Sequence, residues 1–343
     1  MQIKYYKPND NTIKLDAKII EAIKLLNEIK IKLVLLVDKN NKLVGTITDG
    51  DIRRALLKNI STDSLCENIM NDKPIIISKN NDNNAQQLLE KHNLPLPIVD
   101  HQGKIHSICN LESSTLKKND NIVVIMAGGK GERLMPLTLN TPKPMLPINN
   151  KPIIHRIIDN AKKYGFKNIC ISVNYKCEQL INYFKNGEKY EVNITYLKEE
   201  EPLGTAGALS LLNSDKISDP IIVINGDVLT SVNISQLLEY HINTNKDITM
   251  CAANYDVVVP YGTVEVDGTT ITDITEKPLK SYLVNAGIYV INPKILKNIK
   301  PNTKIDMTIL IEKYISNKNV SIYPLHEQWI DIGSHKDYEE AQK

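Results

Sequence analysis

Arginine is nearly missing from this chain. Of 42 cationic residues only four, at positions 53, 54, 133 and 156, are arginine; the rest are lysine. The skew, beside many Asn and Ile, reads as codon bias and says nothing of function. An excess of one charge is missing too: the formal net charge is +2, which leaves no electrostatic footprint for nucleic acid or an anionic membrane. The five cysteines (66, 109, 170, 177, 251) show no CxxC spacing, so they are expected to be reduced thiols rather than a disulfide framework or zinc site. The histidines show no ligand spacing. The start, MQIKYYKPND, lacks the apolar core of a signal peptide, and no apolar run approaches the ~20 residues needed to cross a bilayer. These absences predict a soluble, cytoplasmic chain.

What is present is an ordinary globular balance, 42% apolar and 24% charged over 343 residues. At roughly 100–200 residues per domain this length predicts two domains. An internal repeat occupies the first third. LVDKNNKLVGTITDGDI (36–52) and IVDHQGKIHSICNLESS (98–114) each hold a strand ending in Val-Asp, a polar turn and a second strand. Helical patterns precede them, AKIIEAIKLLNEIK (17–30) and NNAQQLLEKHN (83–93). Neither unit alone buries both faces of its strands, so the two are expected to pack together. The polar LKKNDN (116–121) marks a boundary, giving domains 1–118, with repeats about 8–60 and 65–115, and 122–343.

This first third resembles a pair of CBS repeats, modules that often bind adenine nucleotides. The resemblance implies ribose and phosphate contacts from a Ser/Thr-x-x-Asp element, here Thr48 and Asp51 in the first repeat. The second repeat carries Asn110 and Ser113 at the equivalent places, so any regulatory nucleotide site is single. Thr48 and Asp51 read equally as a helix N-cap pair, and the pair of repeats equally as a docking or dimerisation module. Oligomerisation is expected, because CBS pairs commonly associate.

From 122 the rhythm changes. IVVIMAGG (122–129), NICISVN (168–174) and IIVINGD (221–227) are continuous apolar runs, and helical stretches such as IIHRIIDNAKKYG (153–165) lie between them. Alternating strands and helices predict an α/β fold with a mostly parallel sheet covered on both faces. Ligands of such sheets bind where strands end in loops. The loop after the first run reads AGGKGERLMPLTLNTPKPMLPI (127–148). It contains no GxxxxGK[ST], and leucine stands where a dinucleotide fingerprint needs its third glycine. Gly128, Gly129 and Gly131 permit close approach of the main chain to phosphate oxygens. Arg133 and the proline-flanked Lys143 add a fork and a point charge suited to a polyphosphate.

This string resembles the nucleotide-binding signature of the sugar nucleotidyltransferases, with Ala127 opening it. Further family motifs follow in order. EEEPLGTAGAL (199–209) is similar to the loop that holds the nucleobase, giving Glu199, Pro202 and Gly204. INGD (224–227) resembles the strand end whose aspartate, Asp227, binds magnesium. EKP (276–278), NAGIY (285–289) and WIDIG (329–333) match sugar-phosphate elements and a second metal aspartate, giving Glu276, Lys277, Asn285, Trp329 and Asp331. Tyr261 and Gly262 resemble the loop under the sugar ring. The resemblance implies a Rossmann-like sheet of the GT-A type and a reaction in which a sugar 1-phosphate attacks the α-phosphorus of a nucleoside triphosphate. Arg133 would neutralise the triphosphate and leaving pyrophosphate, Lys143 would hold the phosphates at the reacting centre, and Mg²⁺ would sit on Asp227 and Asp331. The relative weight of the two cations stays open, and Asp227 reads alternatively as a helix N-cap.

Guanine presents two adjacent donors that one carboxylate can accept, whereas thymidylyl-transferring relatives carry glutamine where this chain has Glu199. That favours GTP, unless Glu199 belongs to a solvated acidic run. Over its full length the chain resembles the glucosamine-1-phosphate guanylyltransferases of legionaminic acid synthesis. That implies GTP and a hexosamine 1-phosphate as substrates, with mannose or heptose 1-phosphate as alternatives. A binding-only nucleotide sensor is the reading of another class.

Overall fold

The computed structural model describes residues 2–79, 84–92, 94–112 and 119–343. The chain divides into two compact units, Met1–Leu116 and Lys117–Lys343. None of the five cysteines forms a disulfide, and all but Cys177 are buried. Among the described residues no helix is long and apolar enough to cross a membrane.

The first unit repeats itself in detail. Strand Leu33–Val37 pairs antiparallel with Leu43–Thr48, and Leu96–Val99 pairs likewise with Ile105–Glu112. The two connecting turns are built alike. Asp38 Oδ1 accepts the N–H groups of Asn40 and Lys42 at 2.8 and 2.9 Å, and Asp100 Oδ1 accepts those of Gln102 and Lys104 at the same distances. The fourth turn residue is left-handed in both, Asn41 at φ 59° and Gly103 at φ 79°, a conformation that Asn and Gly tolerate best. The turns meet where Leu43 N–H donates to Gly103 C=O at 3.0 Å. One apolar cluster takes Leu33 and Leu35 from the first repeat and Ile108 from the second, so the repeats do bury each other's strands. The helices Ile19–Glu28 and Ala85–His92 each close a core of their own. The repeats diverge after the second strand. The first continues into helix Asp49–Leu57, while the second strand runs on to Glu112 and pairs with Gln2–Tyr6. Ser113 lies outside the described residues.

The second unit is a seven-stranded sheet in the order Asn193–Lys198, Phe166–Val173, Asn119–Met126, Ile221–Asn225, Leu279–Ile291, Ile248–Val258, Val320–Pro324. All neighbours are parallel except that Leu279–Ile291 is antiparallel to both of its own. Period-two alternation sends side chains into two cores. Val123, Ile125, Ile222 and Ile224 enter one, and Val124, Ile221 and Val223 enter the other. Burial on both faces explains why these strands read as unbroken apolar runs. Helix Ile153–Lys163 packs Ile153, Ile154, Ile157, Ile158 and Ala161 on one side, a 3.6-residue stripe. It ends at Gly165, φ 86°, as the C-cap reading expects. Beyond Ala253 and Val284, strands Ile248–Val258 and Leu279–Ile291 pair only with each other, and a hairpin of Thr263–Asp267 and Thr270–Thr275 continues them as a two-stranded ribbon.

Candidate active site at the carboxyl ends of the parallel strands

Strands Asn119–Met126 and Ile221–Asn225 run side by side and in parallel, so the loops after them emerge together. Between these loops lies a cavity of about 490 Å³, lined among others by Ala127, Gly128, Gly129, Gly131, Arg133 and Lys143. Pro202 and Asp227 line it as well. Eight residues singled out from the sequence thus converge on one space. Gly226 and Gly333 also line it; both stand within quoted motifs, but no chemistry in their side chains marks them.

Packing dictates the shape of the glycine loop. Gly131 has φ 67°, and a Cβ there would stand 2.9 Å from Lys143 Cβ and 3.0 Å from Thr138 Cγ2. Any side chain would therefore push Lys143 out of place. The fully buried Thr138 donates its hydroxyl to the Gly131 carbonyl at 2.9 Å, which pins the loop against Lys143. Arg133 follows in a short 3₁₀ turn anchored by the buried Leu134 and stands exposed at the rim. The C-terminal helix His335–Ala341 braces both ends of this segment. His335 Nε2 bonds Met135 C=O at 2.9 Å, and Tyr338 Oη donates to Pro147 C=O at 2.7 Å.

Lys143, between two prolines, is buried, and its ammonium donates to Asp227 Oδ2. Asp227 stands in the turn after Ile221–Asn225 and caps no helix; the N-cap of the next helix is Asn233. Its other oxygen, Oδ1, is buried without a hydrogen-bond partner. Strand Val228–Thr230 pairs with Trp329–Asp331 so that Asp331 lies opposite Val228, one residue from Asp227. Crowding by the surrounding chain, then the charge of Asp227, pushes the Asp331 carboxyl above the usual aspartate range; Lys143 and Arg133 pull it partly back. An orphaned carboxylate oxygen beside a carboxyl that resists ionisation is a donor set that fits a hard divalent cation, which binds one or two carboxylates and takes its remaining ligands from phosphate and water.

Asp331 yields a stability prediction. A carboxyl whose folded-state pKa is raised destabilises the native protein above that pKa and ceases to do so below its unfolded value. Asp331→Asn is therefore expected to raise the melting temperature of metal-free protein at neutral pH, with the gain vanishing as pH falls below about 4. The gain is small, because Asp331 is exposed and water screens its charge. Melting curves with and without the substitution, at both pH values, check it; a lowered neutral-pH melting temperature contradicts it.

The loop expected to hold the nucleobase differs in part from expectation. Glu199 is half-buried rather than solvated: Oε1 accepts the Ser172 hydroxyl and Oε2 accepts Leu203 N–H at 2.8 Å. It lies under the glycine loop, since a Cβ on Gly128 would stand 2.5 Å from Glu199 Oε1. Each oxygen keeps a second lone pair. Gly204 does not line the cavity. Its φ of 75° and the approach of Ile305 C=O, 2.7 Å from where a Cβ would stand, make it a packing glycine.

The residues expected at the sugar phosphate fall into two groups. Trp329 Nε1 donates to Ala286 C=O at 2.8 Å, joining the WIDIG and NAGIY segments. Asn285 Oδ1 accepts Gly287 N–H at 3.0 Å and Tyr289 Oη at 2.9 Å. Burial holds the Tyr289 phenol up at about 12, so it stays a donor. Gly262, Glu276 and Lys277 lie instead on the ribbon, exposed and away from the cavity. Glu276 and Gly262 still meet, since a Cβ on Gly262 would stand 2.8 Å from Glu276 Oε2.

In the first unit, Thr48 and Asp51 close a capping box. Asp51 Oδ2 accepts Thr48 N–H at 2.8 Å and Thr48 Oγ1 at 2.6 Å, while Oδ1 takes Arg54 Nη2 at 2.6 Å. The N-cap reading describes this pair as it stands, and a ribose would have to displace those bonds.

Residues 122–343 match the family model described as nucleotidyl transferase, and residues 5–58 match that of the CBS domain. Mannose-1-phosphate guanyltransferase of Debaryomyces hansenii is 36% identical over 227 residues, 63% of this chain and 62% of that protein. The chain thus spans about three-fifths of the length of the curated relatives it matches. Among solved structures, one from Bacillus anthracis, provisionally named a glucose-1-phosphate thymidylyltransferase, aligns with a TM-score of 0.54 and 26% identity. It covers 64% of this chain and 94% of its own. HddC from Yersinia pseudotuberculosis, complexed with GMP-PN, aligns with a TM-score of 0.51 and 27% identity over 65% and 98%.

Proposed function

We propose, on the premise that this chain belongs to the nucleotidyl transferase family, that it transfers a guanylyl group from GTP to a hexose 1-phosphate. One observation carries the reading: a glycine loop, Arg133, Lys143 and Asp227 surround one cavity at the strand ends. In the reaction a sugar-phosphate oxygen bonds to the α-phosphorus, the α–β bridging P–O bond breaks, and pyrophosphate leaves opposite. The nucleophile is already an anion, so no general base is needed. The difficulty is the approach of two anions and the charge gathering on the leaving group, so catalysis is positioning and electrostatic stabilisation.

The glycine loop offers main-chain N–H groups to the triphosphate. Lys143, held by Asp227 and two prolines, supplies a fixed positive charge near the reacting phosphates. Arg133 at the rim suits the outgoing pyrophosphate. Asp227 and Asp331 are the residues that would hold Mg²⁺, which when bound supplies Lewis-acid stabilisation of phosphoryl charge.

GTP is supported by the guanyltransferase relatives and by Glu199 beneath Gly128, where its free lone pairs can accept the paired donors of guanine. Mannose 1-phosphate leads among sugars, because the curated relatives are named for it. Glucosamine 1-phosphate is second and rests on the CBS-containing architecture. The test is pyrophosphate release with magnesium, crossing four nucleoside triphosphates with mannose, glucosamine, N-acetylglucosamine and heptose 1-phosphates. Release with GTP and one sugar fixes base and acceptor; no release from a folded protein that binds GTP overturns the reading in favour of a sensor. Glu199→Gln keeps both local partners, since its amide can accept from Leu203 and donate to Ser172. It is expected to shift the GTP-to-UTP ratio of kcat/KM by about ten- to a hundred-fold towards UTP. An unchanged ratio removes Glu199 from base selection.

A further inference from the structure

Three neighbouring strands end in register beside the cavity. Strand Phe166–Val173 pairs in parallel with Asn119–Met126 on one side and Asn193–Lys198 on the other, and Ser172 lies opposite both Met126 and Leu197. The pairing runs on past the strand ends: Ala127 N–H donates to Ser172 C=O at 2.9 Å and Glu199 N–H to Val173 C=O at 3.0 Å. Two residues beyond Ser172, that register sets Gly128, Asn174 and Glu199 in one row. Packing agrees, since a Cβ on Gly128 would stand 2.5 Å from Glu199 Oε1 and 3.5 Å from Asn174 Cβ.

The Asn174 amide is fixed at one end and open at the other. Nδ2 donates to Glu199 C=O at 2.8 Å, and among the described residues Oδ1 accepts no hydrogen bond. The segment that carries it is tied down. Asn174 C=O accepts Cys177 N–H at 3.3 Å, Tyr175 Oη donates to the carbonyls of Thr138 and Leu139 at 3.3 Å each, and Gln179 Nε2 donates to Asn140 C=O at 2.8 Å. A half-buried amide held in this way is a preorganised acceptor.

Guanine needs one acceptor more than Glu199 supplies. Its N1–H and 2-amino group present three donor hydrogens along one edge, and a carboxylate takes two of them side by side. The outer hydrogen of the 2-amino group would stay unpaired against the protein, which weakens binding. We propose, resting on the guanylyl-transfer reading above, that Asn174 is a second base-selecting residue. Its Oδ1 accepts that outer hydrogen while its Nδ2 holds the Glu199 main chain in place. Adenine, cytosine and uracil present no such row of three donors.

Inosine triphosphate, which lacks only the 2-amino group of GTP, is the probe. Pyrophosphate release with each of the four sugar 1-phosphates named above, and the rise in melting temperature with Mg²⁺, are measured with both nucleotides. The wild type is expected to prefer GTP by about ten- to a hundred-fold in kcat/KM. Asn174→Ala is expected to lose about tenfold with GTP and less than about twofold with inosine triphosphate. Asn174→Ser, polar but one bond shorter, is expected to narrow the preference likewise and keeps the test valid if the alanine variant does not fold. A variant that loses both nucleotides alike shows that Asn174 only positions Glu199, because both bases carry N1–H, and overturns the contact. A wild type that uses both nucleotides equally overturns it too. If no sugar 1-phosphate supports release, the transferase reading fails, and the melting temperatures with the two nucleotides still decide the contact.

Discussion

Replacing Asp227 with alanine is expected to lower turnover by about a thousand-fold or more and to abolish stabilisation of the protein by Mg²⁺. The argument rests on the two oxygens of this carboxylate. Oδ2 takes the Lys143 ammonium and Oδ1 is buried with no partner, so one side chain both anchors the cation of the cavity and offers the open donor for a metal. The fold is expected to survive, because the main chain of Asp227 is held independently: its carbonyl accepts Ile332 N–H at 3.1 Å. Stability falls all the same, since alanine strands a buried ammonium. Breaking a fully buried pair costs about 3–5 kcal/mol, and the partial exposure of Asp227 places this loss below that range. Pyrophosphate release and melting curves with and without Mg²⁺ make the measurement. A variant that turns over at a near-normal rate removes Asp227 from the chemistry.

The second large effect concerns Lys143. Lys143→Met, which keeps most of the volume and removes the charge, is expected to cost about 10²–10³ in kcat, and more than Arg133→Ala. The ranking follows from placement. Lys143 is buried, where a charge acts through a low effective dielectric, whereas Arg133 stands at the solvent-exposed rim and is screened. The methionine variant also leaves Asp227 and Asp331 facing each other without an ammonium. Its melting temperature should therefore rise more on adding Mg²⁺ than that of the wild type, a response an inert packing role for Lys143 would not give. A greater loss from Arg133→Ala than from Lys143→Met reverses the assignment and makes the rim arginine the principal cation.

The regular elements of this protein were legible because their causes are local. Apolar runs of β-branched residues announced the strands Asn119–Met126, Phe166–Val173 and Ile221–Asn225. A 3.6-residue stripe announced helix Ile153–Lys163. The 62-residue repeat extends to identical Asx hydrogen bonds in both turns, because Asp38 and Asp100 act on residues two and four positions away. The glycine loop was legible for the same reason, since its glycines, arginine and prolines lie within one short segment.

Everything that depends on distant partners was decided by the tertiary structure. No spacing rule links Lys143 to Asp227; the parallel pairing of two strands brings together loops 84 residues apart in the chain. Burial by the folded chain, and after it the strand pairing that sets Asp331 beside Asp227, raise the Asp331 pKa. Gly204, grouped by its motif with the nucleotide, is a glycine because Ile305 crosses it. Asp51, an acceptor on its own, is occupied by the cap and arginine of its helix. Composition and spacing determined which elements form and which side chains can carry charge. Strand order and packing decided which of them share a cavity, because burial and pairing act between surfaces that the chain's order does not place together.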